Sequence, residues 1–103
     1  MVRQRSENQI QREILDYLKL RNIPATRNQS GRVRVGSYWV NLGPAGWPDV
    51  ITVIPPDGQF LGIECKKPGE KLKPAQVKCK AEIEAAGGMV VVATCVEDVI
   101  NAL

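Results

Sequence analysis

Histidine is absent from this 103-residue chain, and with it the imidazole used by many zinc sites and by Ser-His and Cys-His nucleophiles. Cysteine is sparse. Cys65, Cys79 and Cys95 are an odd number with no C-x-x-C pair, which argues against a disulfide framework or a structural zinc site. Each lies among apolar or helical neighbours and reads as a small buried hydrophobe. No apolar run approaches the roughly 20 residues that cross a bilayer. The opening residues, Met1 to Arg5, lead into no apolar segment, so neither a signal peptide nor a membrane role is expected. Internal repeats, linkers and low-complexity stretches are also missing. The expectation is one soluble, intracellular domain over residues 1–103, hiding about two-thirds of its unfolded surface.

The net charge of +3 is mild, and its distribution says more than its sum. All seven arginines (Arg3, Arg5, Arg12, Arg21, Arg27, Arg32 and Arg34) fall in the first 34 residues, and six of the seven lysines fall between 66 and 80. Two basic zones around an acidic pair suit a polyanion approaching a metal site. For any one of these side chains taken singly, a solvated surface position is the better explanation.

Taken in order, residues 6–21 read as a helix, with Ser6 as N-cap, Gln9 three residues on, and Ile10, Ile14, Tyr17 and Leu18 as its apolar stripe. Asn22 and Pro24 end it. Glu7 lies in line with that stripe, where an acid is unusual, although a first-turn Glu also favours the helix dipole. Ala25–Asn28 and Arg32–Val35 read as short strands around a Gln-Ser-Gly turn, and Ser37–Leu42 as another extended piece. Arginine and aromatics here could track a phosphate backbone and stack on bases. Tyr38, Trp39 and Trp47 suit core or dimer-interface positions equally, with at least one expected in the core. Pro68–Lys73 reads as a mobile basic loop. A second helix over 74–86 starts at Pro74 and stops at Gly87-Gly88, with Gln76, Cys79 and Ile83 on one stripe. Met89–Thr94 is a buried strand. A short helix, Val96–Leu103, follows with Thr94 as its cap.

The centre of the chain is 47–67. Two apolar strands, 49–54 and 59–66, flank Pro55-Pro56-Asp57-Gly58, a hairpin turn signal. A four-residue loop puts Asp49 opposite Glu64, with Cβ atoms about 4.5–5.5 Å apart, and Lys66 on the same face. A bulge would break that register. Two carboxylates so close repel unless a proton or cation lies between them. Lys66 offsets part of that charge, and Mg²⁺ or Mn²⁺ would do so more fully. An ordinary salt-bridged strand pair accounts for the spacing as well. Both hairpin faces are otherwise apolar, which predicts helices on both sides of an α/β mixed sheet.

Pro48-Asp49, fourteen further residues, then Glu64-Cys65-Lys66 resembles the signature of the PD-(D/E)XK nuclease superfamily. With Ser6-Glu7 and Ile10-Gln11, Gly46-Trp47-Pro48-Asp49, Glu64 to Lys67, and Leu72 to Gln76, the chain looks more narrowly like a stand-alone VRR-NUC domain of the phage or bacterial kind. The likeness runs from Ser6 to about Thr94.

The resemblance implies a restriction-endonuclease-like fold and a metal-dependent endodeoxyribonuclease. Asp49 and Glu64 would hold Mg²⁺ or Mn²⁺, Glu7 would complete the shell, and the backbone carbonyl of Cys65 would add a ligand. Lys66 and Gln76 would complete the catalytic set. It also implies branched DNA, Holliday junctions included, a homodimer, and the cytoplasm of a bacterial or phage-infected cell. Two other readings compete: a nucleic-acid-binding module that keeps the fold without cutting, and a small structural domain with a salt-bridged hairpin.

Overall fold

The computed structural model describes residues 5–28 and 31–103. The order is α1 (Glu7–Leu20), β1 (Ala25–Arg27), β2 (Gly31–Val35), β3 (Tyr38–Gly43), β4 (Val50–Ile54), β5 (Gln59–Cys65), α2 (Pro74–Ala85), β6 (Met89–Ala93) and α3 (Val96–Ile100).

Helix α1 begins as its sequence predicts. The Ser6 hydroxyl accepts from Gln9 N–H at 3.2 Å and the Gln9 carboxamide oxygen accepts from Ser6 N–H at 2.9 Å, so each satisfies a donor the helix leaves orphaned. Ile10, Ile14 and Leu18 are buried, worth about 1.5–3 kcal/mol each. At the far end Asn22 takes a left-handed backbone, and Ile23 N–H closes on Leu18 O at 2.9 Å. Ile23 is then buried beside the helix.

The main sheet runs β1-β4-β5-β6. In the β4–β5 hairpin Val50 faces Ile63 and Ile54 faces Gln59, with no bulge between. Gly58 N–H donates to Ile54 O across the loop at 2.9 Å, and Gly58 supplies the positive φ of 78° that closing the turn requires. After α2 the chain returns as β6, parallel to β5.

Two expectations need correction here. Strands β1 and β2 exist, but they do not pair with each other. Strand β1 joins β4, with Ala25 opposite Thr52, pinned where the Thr52 hydroxyl donates to Pro24 O at 2.8 Å. Strand β2 pairs with β3 in a separate two-stranded ribbon. Of the expected Gln-Ser-Gly turn, residues 29–30 lie outside the described residues. The last helix stops at Ile100 rather than Leu103 and is capped by Cys95, not Thr94. Asp98 reaches back instead, accepting from Thr94 N–H at 2.9 Å and from the Thr94 hydroxyl at 3.3 Å.

One sheet face (Val50, Thr52, Leu61, Ile63, Cys65) packs on α1 and α3 through Ile10, Ile14, Leu18 and Val99. The opposite face carries Asp49, Phe60 and Glu64. Helix α2 and the Trp47-Pro48 segment cover it, with Trp47 edge-on to Phe60 at 6.2 Å. Of the three aromatics open to either reading, Trp47 is the half-buried one, while Tyr38 and Trp39 are exposed.

Candidate active site

The site forms where the hairpin ladder runs out. Pro48 continues the register opposite Cys65, yet it has no N–H, and its carbonyl accepts from Asn28 Nδ2 at 3.2 Å. Deprived of that partner, Cys65 N–H donates to Asp49 Oδ2 at 2.8 Å. A side chain thus replaces the next rung and fixes the Asp49 carboxylate at the sheet end.

Glu64 is 3% exposed and Lys66 4%, burial rarely accepted by charged groups without partners. Glu64 Oε1 accepts from Gln76 Nε2 at 3.1 Å, while Gln76 Oε1 accepts from Lys73 N–H at 2.8 Å. The Gln76 amide is therefore held at both ends, as helix cap and as donor to Glu64. Among the described residues the ion pairs are Arg5–Glu13 and Lys80–Glu84, so Lys66 is not spent on a direct one.

Burial, the Asp49 charge and a hydrogen bond with Asp49 push the Glu64 carboxyl up to about 8, and Lys66 only partly opposes them. Near neutral pH the Glu64 carboxyl is therefore held toward its protonated form beside Asp49. Glu7 lies in the field of Asp49 and Lys66. Its carboxyl is raised by burial, then by a hydrogen bond with Glu70. Glu70 is itself lowered, chiefly because Lys67 N–H donates to its Oε1 at 2.7 Å. The Cys65 thiol is pushed up to about 12 by burial and the neighbouring acids, so it is inert as a nucleophile or thiolate ligand.

The hairpin thus brings Asp49, Glu64, Gln76 and the Cys65 backbone together, with Lys66 and Glu7 in their field. Among the described residues no three His, Cys, Asp or Glu side chains already stand as a metal shell.

This charge arrangement has a measurable consequence. Glu64 binds its proton more tightly folded than unfolded, where its value is near 4.5. Its contribution to stability is fully present below that value and is lost as pH rises through about 8. In EDTA the melting temperature should fall between pH 5 and pH 8, and Asp49→Asn should flatten the decline. An equal slope in the variant would exclude the pair as its source.

Residues 5–97 match the VRR-NUC domain family. The chain belongs to that family. VRR-NUC membership makes it a nuclease-family domain, and two solved structures agree on the fold. One, described as a VRR_NUC domain, superposes with a TM-score of 0.69 at 20% identity, covering 92% of this chain and 90% of its own. Another, a VRR_NUC domain protein, gives 0.60 at 21% identity, covering 97% and 86%. "Putative nuclease p44" of Acyrthosiphon pisum secondary endosymbiont phage 1 is 39% identical over 54 residues, 52% of this chain and 57% of the relative. The chain therefore aligns with little more than half of that protein's length.

Two residues of this VRR-NUC site escape a reading of the sequence. Asn28 grips the aspartate segment twice, its backbone N–H donating to Asp49 O at 2.8 Å and its amide to Pro48 O. Glu70 bends back over the loop expected to be basic and mobile, and Glu70 N–H closes a turn on Lys67 O at 3.0 Å. Each acts across a distance in sequence or through a turn that no local pattern announces.

Proposed function

We propose that this chain is a divalent-metal-dependent endodeoxyribonuclease that hydrolyses phosphodiester bonds, with branched DNA, four-way junctions included, as its preferred substrate. The observation that carries this reading is Glu64, 3% exposed yet held beside Asp49, whose charge joins burial in pushing the Glu64 carboxyl up to about 8. Such a pair is costly in a structural role, and it suits a hard cation with oxygen ligands.

Asp49 and Glu64 would hold Mg²⁺ or Mn²⁺, with Glu7 joining them. The Cys65 carbonyl fits as a further ligand, because Pro48, opposite in the register, has no N–H to offer it. When bound, the metal supplies Lewis acidity toward the phosphate and a lowered pKa for water. The protein's own groups do the rest. Glu64 would have to give up its proton to hold the ion, so metal affinity should rise with pH up to about 8. Gln76 keeps Glu64 in one orientation through its two-ended amide. Lys66, in no ion pair among the described residues, neutralises charge developing on the phosphate oxygens or orients the attacking water.

A homodimer would supply the second active site that symmetric two-strand cleavage requires. It is favoured by the solvent-facing apolar side of the β2–β3 ribbon, where Val33, Val35, Tyr38 and Val40 are exposed. No helix of the described residues is long and apolar enough to cross a membrane. Three free cysteines suit a reducing cytoplasm in a bacterial or phage-infected cell.

The test is a cleavage panel on linear duplex, flap and four-way DNA at matched salt, with Mg²⁺, Mn²⁺ or EDTA. The expected result is cutting with either ion, none in EDTA, and faster turnover on branched substrates. Cleavage that survives EDTA would sink metal dependence, equal rates across the panel would sink structure selectivity, and tight binding without cleavage in any metal would favour a non-catalytic binding module.

A further inference from the structure

The β2–β3 ribbon has two chemically different sides. Val33 pairs with Val40 and Val35 with Tyr38, while Arg32 pairs with Asn41 and Arg34 with Trp39. Because residues alternate in direction along a strand, the first two pairs make an apolar side and the last two a basic one. On the basic side the Arg32 guanidinium lies 5.2 Å from the centroid of the Trp39 ring, a stacked cation–aromatic arrangement. Trp39 is 59% exposed. Arg34 donates through Nε to Gly36 O at 3.0 Å. From Tyr17 to Pro48 the sequence contains no aspartate or glutamate, against Lys19, Arg21, Arg27, Arg32 and Arg34.

The ribbon is also rooted at the catalytic aspartate from both ends. Strand β2 starts three residues after Asn28, which hydrogen-bonds the Pro48 and Asp49 carbonyls. Strand β3 ends at Gly43, six residues before Asp49, a length of chain that spans at most about 21 Å. A two-stranded ribbon has the width to enter a major groove or lie along a phosphate backbone.

From these observations we infer that the Arg32–Arg34–Trp39–Asn41 side of the ribbon is a nucleic-acid docking surface that delivers a DNA strand to Asp49 and Glu64. The arginines neutralise backbone phosphates, and Trp39, pre-oriented by Arg32, stacks on a base or sugar. This rests on the nuclease reading for what happens after docking, but the surface itself binds whether or not the strand is then cut.

Two readouts test it, using the whole chain. The first is fluorescence anisotropy of labelled duplex and four-way DNA in EDTA over a salt series. The second is steady-state cleavage in Mg²⁺. Arg32→Ala/Arg34→Ala should raise Kd by tenfold or more at moderate salt and reduce the slope of log K against log[salt] by about 2. Trp39→Ala should raise Kd several-fold with the salt slope unchanged. In both variants KM should rise while kcat stays within about twofold, since the residues around Asp49 are untouched. Arg32→Lys/Arg34→Lys should restore most of the salt slope but not the Trp39-dependent part of the affinity.

Unchanged Kd and salt slope in the double alanine variant would overturn the inference. So would loss of a dimer on gel filtration as the first effect, which would make this side a protein interface, or a wild-type chain that binds no DNA. A wild type that binds without cutting would sink the nuclease proposal and leave the docking surface standing, because the anisotropy result does not depend on turnover.

Discussion

Glu64→Gln should abolish cleavage and, at pH 9 in EDTA, melt at a higher temperature than the wild type. The first half follows from replacing a charged oxygen donor of the proposed metal site by a neutral amide. A fall in kcat/KM of about 10³-fold or more is expected, at or above the range for removing one preorganised group from a reacting centre. The second half follows from burial. At pH 9 the wild-type Glu64 has lost its proton beside Asp49 while it is 3% exposed. The amide has nearly the same shape, still accepts from Gln76, and can donate to Asp49. It removes a like-charge contact without opening a cavity. At pH 5, where Glu64 is protonated in the wild type, the melting difference should shrink. Asp49→Ala and Lys66→Ala should be equally inactive. Residual cleavage above one per cent in Glu64→Gln, or a lower melting temperature at pH 9, would assign the pair to the fold rather than to catalysis. Greater stability with lost activity is the expected trade where a strained charge cluster exists for function.

Gly62→Ala is expected to damage stability and activity together. Gly62 lies on the Asp49 face of β5, and Pro48 fills the space a side chain would occupy. An added Cβ would stand 2.4 Å from Pro48 Cγ, 2.9 Å from Pro48 Cβ and 3.3 Å from Phe60 Cε1. A buried proline ring cannot swing away, so the Pro48-Asp49 segment must shift. Overpacking of this kind costs about 1–3 kcal/mol, or about 4–8 °C of melting temperature per kcal/mol in a domain this small. The displaced residue neighbours Asp49, whose carboxylate accepts a positioning hydrogen bond from Cys65 N–H. Activity measured well below the melting point should therefore fall by tenfold or more. Leu61→Ala is the control. It empties the opposite face, costs about 2–5 kcal/mol, and should leave kcat near wild type in the folded fraction. If both variants lose activity only in proportion to stability, the Pro48–Gly62 contact does not position the aspartate.

Much of this site is legible along the chain because the hairpin is local. Pro55 to Gly58 make a four-residue loop, both strands carry β-rich apolar residues, and no bulge intervenes. Placing Asp49 across from Glu64 therefore needed only the turn length and the period of two. Helix α1 was equally readable, since Ser6, Gln9 and the Ile10–Ile14–Leu18 spacing are all short-range signals. The pairing of β1 was not. Its three residues have no strong pattern, and their place beside β4 depends on Thr52 reaching Pro24 and Asn28 reaching Asp49, contacts more than twenty residues apart. Glu70 was masked by the lysines around it, and Asn28 by an unremarkable loop.

The sequence alone determined which groups are available and which of them are neighbours within one turn of chain: two acids and a lysine on one hairpin face, a capped helix before it, and no histidine or disulfide to compete. Only the tertiary structure decided how those groups are stressed. Burial beneath α2 and Pro48 raises the Glu64 carboxyl, Gln76 arrives on α2 to hold it, and Glu70 helps raise the Glu7 carboxyl. The reason is that desolvation and Coulomb energy depend on distance through space and on the surrounding medium, and neither is written in the order of residues.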